Sequence, residues 1–187
     1  MALAVAVIIK TFLVQPFYVP SESMLPTIIV NDRVMISKLN YRFADPQRGD
    51  IVVFISPFND DIANESLLKS VGRHILEAVG IRTASADDLI KRVVAVGGDT
   101  VEVKGGYLYV NGAQVDEPFV MSPGTMPDFA AVVVPPDNVF VMGDNRAVSY
   151  DSRKFGPIPE TDLLGEAVVR IWPLSRLGSI DSQDLAG

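Results

Sequence analysis

The feature that most constrains this fold is the distribution of apolar residues after Pro20. They form short or alternating runs rich in Val, Ile, Phe and Tyr, and Gly, Pro, Asn and Asp separate the runs. This pattern is typical of strands, because successive side chains of a strand point to opposite faces of a sheet. We therefore predict a mainly β chain with an antiparallel sheet. The predicted strands are RVMISKL (33–39), DIVVFI (50–55), KRVVAV (91–96), TVEV (100–103), YLYV (107–110), NVFVMG (138–143) and EAVVRIW (166–172).

Two local patterns refine this prediction. In VEVKGGYLYV, Gly105 and Gly106 supply a permissive turn between two alternating runs, which predicts a β-hairpin. In ESLLKSVGRHILEAVG, apolar residues recur at helical spacing and Gly80 stands where a helix would end, which predicts a short helical insertion within about 60–88. His74 lies in this insertion. We interpret it as a surface histidine without a catalytic role; a switch or ligand function is the alternative.

The first twenty residues, MALAVAVIIKTFLVQPFYVP, are the most apolar stretch of the chain. Lys10 interrupts this stretch, and Pro16 and Pro20 end it, so we predict an apolar anchor helix over 1–16. A helix over 1–14 would extend ~21 Å against a hydrocarbon core of ~30 Å, so we expect it to be part of a longer membrane helix. The alternative is an ordinary buried helix or strand.

Length and composition limit the remaining choices. The 187 residues allow one domain, which we place at 17–176, followed by a flexible polar tail at 177–187. The formal net charge of −7 makes nucleic acid a poor candidate partner. The chain has no cysteine and one histidine, which excludes thiolate metal sites, cysteine nucleophiles and histidine-rich metal sites. Acid–base chemistry near neutral pH would therefore use a lysine or a carboxylate, unless His74 serves.

Three stretches carry residues that could perform such chemistry. PSESMLPT (20–27) places hydroxyls between prolines directly after the apolar segment, although serines in such a position are usually turn residues. In LIKRVVAVGGD (89–99), alternation sends Lys91 and Arg92 to opposite faces of a strand, so one of these charges approaches a packed face. A lysine in apolar surroundings has a lowered pKa and could act as a general base. The alternative is a lysine at a strand end that reaches solvent.

The third stretch, GDNRAVSYDSRKFGP (143–157), is dense in polar residues and follows a predicted strand. It is either a solvated loop or a fixed network in which Asp151 pairs with Arg153 or Arg146 and Ser149 orients a neighbouring side chain. The spacing of the residues does not decide between these interpretations.

Taken in order, these stretches resemble the bacterial type I signal peptidases, also called leader peptidases, of the Ser-Lys protease class. The resemblance covers the apolar segment with PSESMLPT, RGDIVVF (48–54), IKRVVAVGGD (90–99) and GDNR with SYDSRKFGPIP (143–159). The helical insertion and the polar tail lie outside it. Ala147 and Val148 also depart from the family pattern, in which Asp and Asn commonly follow GDNR, so the polar contacts of those side chains are not expected here.

The resemblance implies a role for each matching residue. Ser23 matches the nucleophile and Lys91 its general base, while Ser21 matches the serine that stabilises the oxyanion together with the backbone N–H of Ser23. Ser149 matches the serine that orients the lysine amine. Asp151 and Arg153 match a supporting ion pair. The positions that match the lining of the shallow substrate pockets are Phe17, Val19, Ile28 and Ile90.

The resemblance further implies a membrane-bound serine endopeptidase that removes N-terminal signal peptides from secreted preproteins. It would cut after small residues at −1 and −3 and would need neither a metal nor an organic cofactor. Its expected location is the bacterial plasma membrane, in contact with the lipid bilayer through a single pass, with the catalytic domain on the extracytoplasmic side. Three alternatives stay open: an organellar or conjugative relative, a Ser-Lys self-cleaving regulator, and a noncatalytic membrane-tethered domain that binds peptides.

Overall fold

The computed structural model describes residues 14–57 and 88–180, and strands dominate both ranges. The described part contains two short helices, α1 (Asn40–Phe43) and α2 (Ser152–Phe155). Short 3₁₀ helices lie at Glu160–Asp162 and Leu174–Arg176. The strands are β1 (Val14–Tyr18), β2 (Arg33–Ser37), β3 (Ile51–Phe54), β4 (Leu89–Val96), β5 (Thr100–Lys104), β6 (Tyr107–Val110), β7 (Ala113–Gln114), β8 (Phe129–Val133), β9 (Asn138–Met142), β10 (Ile158–Pro159), β11 (Leu163–Trp172) and β12 (Gly178–Ser179).

These strands form two sheets, and all of their pairings are antiparallel. The larger sheet has the order β1-β2-β11-β3-β4-β9-β10, with β12 paired to β11. The smaller sheet has the order β7-β6-β5-β8. The prediction of a mainly β, antiparallel chain is therefore confirmed, and so is the hairpin at β5 and β6, whose turn residues Gly105 and Gly106 both have positive φ.

Strand β3, at the centre of the large sheet, has the unbroken apolar sequence IVVF. Ile51 and Val53 pack into one apolar cluster, whereas Val52 and Phe54 pack into another on the opposite face. All four residues are buried, because β3 lies between β11 and β4 in the interior of the sheet. A strand buried on both faces needs no polar alternation.

Strand β1 was not predicted from the sequence, and it lies where the end of the anchor helix was expected. Residues 14–16 pair with β2 at the edge of the large sheet. Pro16 is tolerated there because an edge strand leaves one row of N–H groups unpaired, so a missing donor costs little. The expected helix therefore does not extend through residue 16. Residues 1–13 lie outside the described residues, and no helix within 14–57 or 88–180 is long and apolar enough to cross a membrane.

Two further predictions concern the helical insertion and the polar tail. The helical insertion, including His74, lies outside the described residues almost entirely. The polar tail was expected from 177, but residues 178 and 179 form β12 against Val169 and Arg170 of β11. Ile180 follows with only 7% of its surface exposed, and it packs into the core cluster of β1 and β2. The tail prediction is thus wrong for 178–180, because backbone pairing and one apolar side chain attach this segment to the sheet.

The RGD and GGD motifs meet beside strand β4. Arg48 donates from Nε and Nη2 to the two carboxylate oxygens of Asp99, at 2.9 and 2.6 Å. Asp99 also accepts hydrogen bonds from the Val96 N–H and from Asn111. Burial acts to raise the pKa of Asp99, but these hydrogen bonds and the charge of Arg48 outweigh it and hold the pKa below its ordinary value. This ion pair fixes the far end of the strand that carries Lys91.

Candidate active site

Ser23 lies in the loop that joins β1 to β2, which we call the Ser23 loop (residues 20–31). The loop is closed at its base by backbone hydrogen bonds between Val19 and the residues at its other end, Asn31 and Asp32. Within it, the Ile28 N–H donates to the Met24 carbonyl at 2.9 Å, which forms a tight turn just after Ser23. Ser23 itself is 8% exposed. The fold therefore holds the serine at a sheltered position beside the large sheet.

Lys91, which the sequence analysis proposed as the base, lies directly against this serine. Its Nζ is 2.8 Å from Ser23 Oγ and also donates to the Ile90 carbonyl at 2.8 Å. Lys91 is only 3% exposed. Two residues that are 68 positions apart in sequence thus meet at hydrogen-bond distance, which is the geometry that a serine nucleophile and its base require.

Strand β4 buries both of its cations, whereas the sequence analysis required only one of them to approach a packed face. Their partners differ. Arg92 is fully buried and donates from Nε and Nη2 to the two oxygens of Asp144, at 2.9 and 2.8 Å. The guanidinium also donates to the Gly49 carbonyl and lies 3.9 Å from the centroid of the Phe119 ring. Lys91 has no carboxylate of the described chain within ion-pair distance. One charge is thus neutralised in place, and the other is left without a counterion.

This difference appears in the pKa of Lys91. Burial lowers the pKa from 10.5 to about 8, and the more distant carboxylates of Asp151 and Asp144 oppose the change without cancelling it. At pH 7.5, a lysine with a pKa of about 8 is neutral in roughly a quarter of molecules, against about 0.1% for an ordinary lysine. Burial without a counterion therefore raises the population of the basic form by about two orders of magnitude.

Asp144 and Asn145 connect the Ser23 loop to the strand that carries Lys91. Asp144, already bound to Arg92, accepts a hydrogen bond from Thr27 Oγ1 at 2.5 Å. The Asn145 N–H donates to the Ser23 carbonyl at 3.0 Å, and its side-chain amide donates to the Glu22 carbonyl at 3.2 Å. The sequence analysis assigned no role to these residues. The signal was present in the GDNR motif, but only the fold brings this motif against the serine.

The predicted ion pair of Asp151 and Arg153 is present. Arg153 donates from Nε and Nη2 to the two oxygens of Asp151, both at 2.8 Å. The same carboxylate caps helix α2 and accepts the Gly143 N–H at 3.0 Å. Burial acts to raise the pKa of Asp151, but the Arg153 hydrogen bond and charge, the neighbouring Ser149 hydroxyl and the Gly143 N–H together lower it. Arg146, the other partner considered, pairs with Glu117 instead.

Ser149 does not form the expected contact with Lys91. Its Oγ is buried beside the Asp151 carboxylate, whose pKa it helps to lower, and it forms no hydrogen bond with the Lys91 amine; the second partner of that amine is the Ile90 carbonyl. Ser149 instead packs against Gly143, where an added Cβ would stand 2.3 Å from Ser149 Oγ and 2.4 Å from the Ser23 carbonyl. The prediction that Ser149 orients the amine directly is therefore not met, because a nearer carbonyl occupies that position. Ser149 therefore lies close to the Ser23 loop, and no hydrogen bond joins it to Lys91.

Ser21 lies on the solvent side of Ser23. Its Oγ is 3.3 Å from Ser23 Oγ, and Ser21 is exposed. A hydroxyl at this place, with the Ser23 backbone N–H, is positioned to donate to negative charge that develops beside the serine.

The four residues predicted to line substrate pockets share one environment. Each is at most 4% exposed, and all belong to a single apolar cluster that also contains Met24, the residue next to Ser23. Val19 and Ile28 have no exposed surface, so they lie behind the surface that a substrate would meet. These residues are Phe17, Val19, Ile28 and Ile90.

Other features of the described chain lie away from this site. A cavity of about 330 Å³ opens beside the small sheet, lined among others by Tyr107, Val115, Glu117 and Met126, and none of its lining residues belongs to the predicted site. Within 14–57 and 88–180, no group of three or more His, Cys, Asp or Glu residues could hold a metal ion. Within these ranges, a buried hydroxyl and a buried amine without a counterion meet at Ser23 and Lys91.

The chain matches a known protein family. The family described as "Signal peptidase, peptidase S26" matches residues 1–172. The chain belongs to this family. The resemblance inferred from the sequence motifs is therefore confirmed, and so is the assignment of the chain to a class of serine peptidases.

Several named proteins are similar over most of the chain. The signal peptidase I of Leptolyngbya laminosa is 39% identical over 96% of this chain and 79% of that protein. The signal peptidase I of Mycobacterium tuberculosis is 36% identical over 94% of this chain and 70% of that protein. The chloroplastic thylakoidal processing peptidase 1 of Arabidopsis thaliana is 37% identical over 99% of this chain and 50% of that protein. A signal peptidase I crystal structure from Enterococcus faecalis is 27% identical, covering 65% of this chain and 96% of that chain, with a TM-score of 0.44.

Proposed function

We propose that this chain is a serine endopeptidase that removes N-terminal signal peptides from secreted preproteins, with Ser23 as nucleophile and Lys91 as general base. The observation that carries the proposal is the 2.8 Å contact between the Ser23 hydroxyl and a buried amine without a counterion. Family membership supports the reaction class and the substrate class.

The first chemical step follows from the state of the amine. Neutral Lys91 has one lone pair, and donation of one of its N–H groups to the Ile90 carbonyl helps to turn that lone pair toward Ser23. As Ser23 Oγ attacks the scissile carbonyl carbon, its proton passes to Lys91 Nζ. General-base participation of this kind commonly contributes about 10² to 10⁴-fold in rate.

Stabilisation of the oxyanion is the second contribution. The Ser21 hydroxyl and the Ser23 backbone N–H would donate to the carbonyl oxygen as it becomes negative, in a site where burial weakens competition from water. Loss of one such donor typically costs about 3 to 4 kcal/mol of transition-state stabilisation. Ser21 is therefore expected to matter to kcat although it is exposed.

The remaining steps use the same amine. When the C–N bond breaks, the Lys91 ammonium gives its proton to the leaving amine and returns to the neutral form. Lys91 then removes a proton from water as the water attacks the Ser23 ester. When the ester C–O bond breaks, Lys91 returns this proton to Ser23 Oγ, and the signal peptide leaves with a new C-terminal carboxyl group. Protons and bonds balance over the cycle, and each proton transfer uses Lys91.

Substrate selection would depend on the apolar surroundings of the serine. Phe17, Val19, Ile28 and Ile90 form a closely packed background beside Ser23, so the space left for side chains at −1 and −3 would be shallow and suited to small residues. Backbone hydrogen bonds to an extended segment would supply much of the binding, and the pockets would supply the selection. A preprotein with Ala-x-Ala before its mature start fits this description.

The position of the enzyme in the cell belongs to the same proposal. Apolar residues precede β1, and strand β1 leads directly into the Ser23 loop. An anchor within residues 1–13 would therefore hold the catalytic site near a lipid bilayer, where membrane-inserted preproteins are found. We place it at the bacterial plasma membrane with the catalytic domain on the extracytoplasmic side. We also propose that it requires no metal or organic cofactor, because the amine and hydroxyl supply the chemistry.

The test is cleavage of a secretory precursor that carries Ala-x-Ala, with the products resolved by mass. The full chain in detergent is expected to cut once, after the final Ala, and Ser23→Ala is expected to abolish this cut. Ser122→Ala, a matched change at an exposed serine, should leave it intact. If Ser23→Ala cleaves normally, the assigned nucleophile is wrong. If the chain instead cuts only itself, or binds the precursor without cutting it, the self-cleaving regulator or the noncatalytic binding domain gains support.

A further inference from the structure

We infer that Arg176, acting with Arg170 and Asp32, is a positioning residue that fixes the Ser23 loop from the C-terminal segment of the chain. This inference rests on the proposed function of Ser23. It adds a residue that lies beyond the family match at 1–172 and that no motif of the sequence analysis included. We call the three side chains the Asp32 clamp.

The clamp is built around one buried carboxylate. The Asp32 side chain has no exposed surface, and Arg176 Nη1 donates to both of its oxygens, at 3.0 and 2.7 Å. Arg170 Nε lies 3.2 Å from Asp32 Oδ2, an ionic contact that is not directed as a hydrogen bond. Both arginines also reach a second acceptor, the Thr27 carbonyl, with Nη2 of Arg170 at 2.9 Å and Nη2 of Arg176 at 3.5 Å.

The two acceptors lie in and beside the Ser23 loop, so the clamp acts on the backbone near the serine. Thr27 is four residues after Ser23, and the next residue, Ile28, donates its N–H to the Met24 carbonyl. Thr27 is also held from its other side, where its hydroxyl donates to Asp144. The loop is thus fixed at one residue from two directions, by the clamp and by the ion pair beside Lys91.

The clamp carries two positive charges and one negative charge, whereas a simple ion pair carries one of each. Two guanidinium groups share one carboxylate, which leaves an excess positive charge in a partly buried place. Burial lowers the pKa of Arg170, the neighbouring Arg176 lowers it further, and Asp32 opposes both. A buried ion pair is weak evidence for stability, whereas the planar guanidinium group holds its donors in a fixed arrangement. We therefore assign the clamp the role of holding Thr27 in a fixed position.

The C-terminal segment is fastened so that Arg176 can act in this way. Arg176 ends the 3₁₀ helix that follows β11, and strand β12 returns to pair with β11. Ile180 is then buried in the core cluster that includes Met24 and Ile28. The segment after the family match therefore brings a rigid, planar donor to the back of the Ser23 loop.

The experiment compares Arg176→Gln with Arg33→Gln in the full chain. Arg33 is an exposed arginine adjacent to Asp32, so its variant removes the same charge from the same neighbourhood without touching the clamp. Cleavage of the Ala-x-Ala precursor should show kcat reduced by about 10- to 100-fold in Arg176→Gln with KM changed by less than about twofold, because small displacements of a reacting group carry costs of that size. Arg33→Gln should match the wild type.

Hydrogen exchange of the backbone N–H groups within 24–28, where Pro26 has none, gives a second readout that does not depend on activity. It should be faster in Arg176→Gln than in Arg33→Gln. If Arg176 only stabilised the fold, its replacement would lower the melting temperature. It would change neither kcat, measured well below that temperature, nor the exchange of these amides. That result would overturn the inference. If the Gln variant does not fold, Arg176→Lys keeps the stem and the charge but lacks the fork, and the same fall in kcat is expected.

The two proposals fail in different ways. If the wild-type chain does not cleave the precursor, the proposed function fails, and the exchange of amides 24–28 alone decides whether the clamp holds the loop. If the wild-type chain cleaves the precursor and Arg176→Gln cleaves it with the same kcat, the clamp inference fails while the proposed function stands.

Discussion

Replacing Lys91 by Met should make the protein more stable at neutral pH while it abolishes cleavage. The folded pKa of Lys91 is about 8 against 10.5 for an ordinary lysine, and at about 1.4 kcal/mol per pKa unit this difference costs the folded state about 3 kcal/mol. Methionine has nearly the same length and carries no charge. Its thioether leaves the Ser23 hydroxyl and the Ile90 carbonyl without the amine, at about 1 kcal/mol for each lost hydrogen bond. The expected net gain at pH 7 is therefore about 1 kcal/mol.

The pH dependence of this difference is the sharper test. Because folding lowers the pKa of Lys91, the penalty is fully present below about pH 8 and disappears as the pH rises toward 10.5, where the unfolded chain also loses the proton. The stability advantage of Lys91→Met over the wild type should thus fall by about 2 to 3 kcal/mol between pH 7 and pH 10. The lost hydrogen bonds do not affect this change, since they are absent from the variant at both pH values.

Urea unfolding at pH 7 and pH 10 measures the free energy of unfolding of both proteins under each condition. Lys104→Met serves as the matched control, since Lys104 is exposed and its charge lies in solvent before and after unfolding. Its effect should be small and equal at the two pH values. If Lys91→Met differs from the wild type by the same amount at pH 7 and pH 10, burial does not perturb the amine and the reasoning about the base is refuted.

Three further predictions concern the site. The kcat/KM of precursor cleavage should rise with pH through about 8, because the neutral form of Lys91 is the active one; a pH profile that is flat from 6 to 9 would contradict this. Gly143→Ala should reduce kcat/KM by at least about tenfold, because its Cβ would overlap the Ser23 carbonyl. Gly178→Ala is the control, since a Cβ there meets nothing within 4 Å and activity should not change. Equal activities of the two variants would show that the Ser23 loop can shift freely. Asp151→Ala should destabilise the fold by about 3 kcal/mol in urea unfolding, since it leaves Arg153 partly buried without its partner; a change below about 1 kcal/mol would indicate a solvated pair.

Much of the sheet could be predicted from the sequence because its strands obey local rules. Strands β5 and β6 alternate cleanly around a glycine turn, and β3 and β9 are short apolar runs between turn residues. Strand β1 could not be found in this way, because VQPFY continues an apolar segment and contains a proline, and only its pairing with β2 makes it a strand. Strand β12 is two residues long and depends entirely on β11.

The candidate site likewise contains residues that local sequence patterns predict and residues whose contacts depend on the fold. Ser23, Lys91 and the Asp151–Arg153 pair could be predicted from motifs, because each stands in a run of residues that matches the family pattern. The roles of Thr27 and Asp144 depend on contacts over 117 positions of sequence, and no local pattern predicts them. The expected contact of Ser149 failed for a related reason. The Lys91 amine donates to the Ile90 carbonyl and not to the Ser149 hydroxyl, because the carbonyl lies nearer in the folded chain. Such distances depend on the fold and cannot be predicted from the local sequence.

The proposed mechanism depends most directly on a lowered pKa of Lys91, which gives this amine a substantial neutral fraction at working pH. The measurement is an NMR titration of the lysine side chains of the full chain in detergent, with the Lys91 signal assigned by its loss in Lys91→Met. The account predicts a titration midpoint near pH 8 for this amine in the folded protein. A midpoint near 10.5, the ordinary value for a lysine, would mean that the amine keeps its proton beside Ser23, and the proposed base would be contradicted.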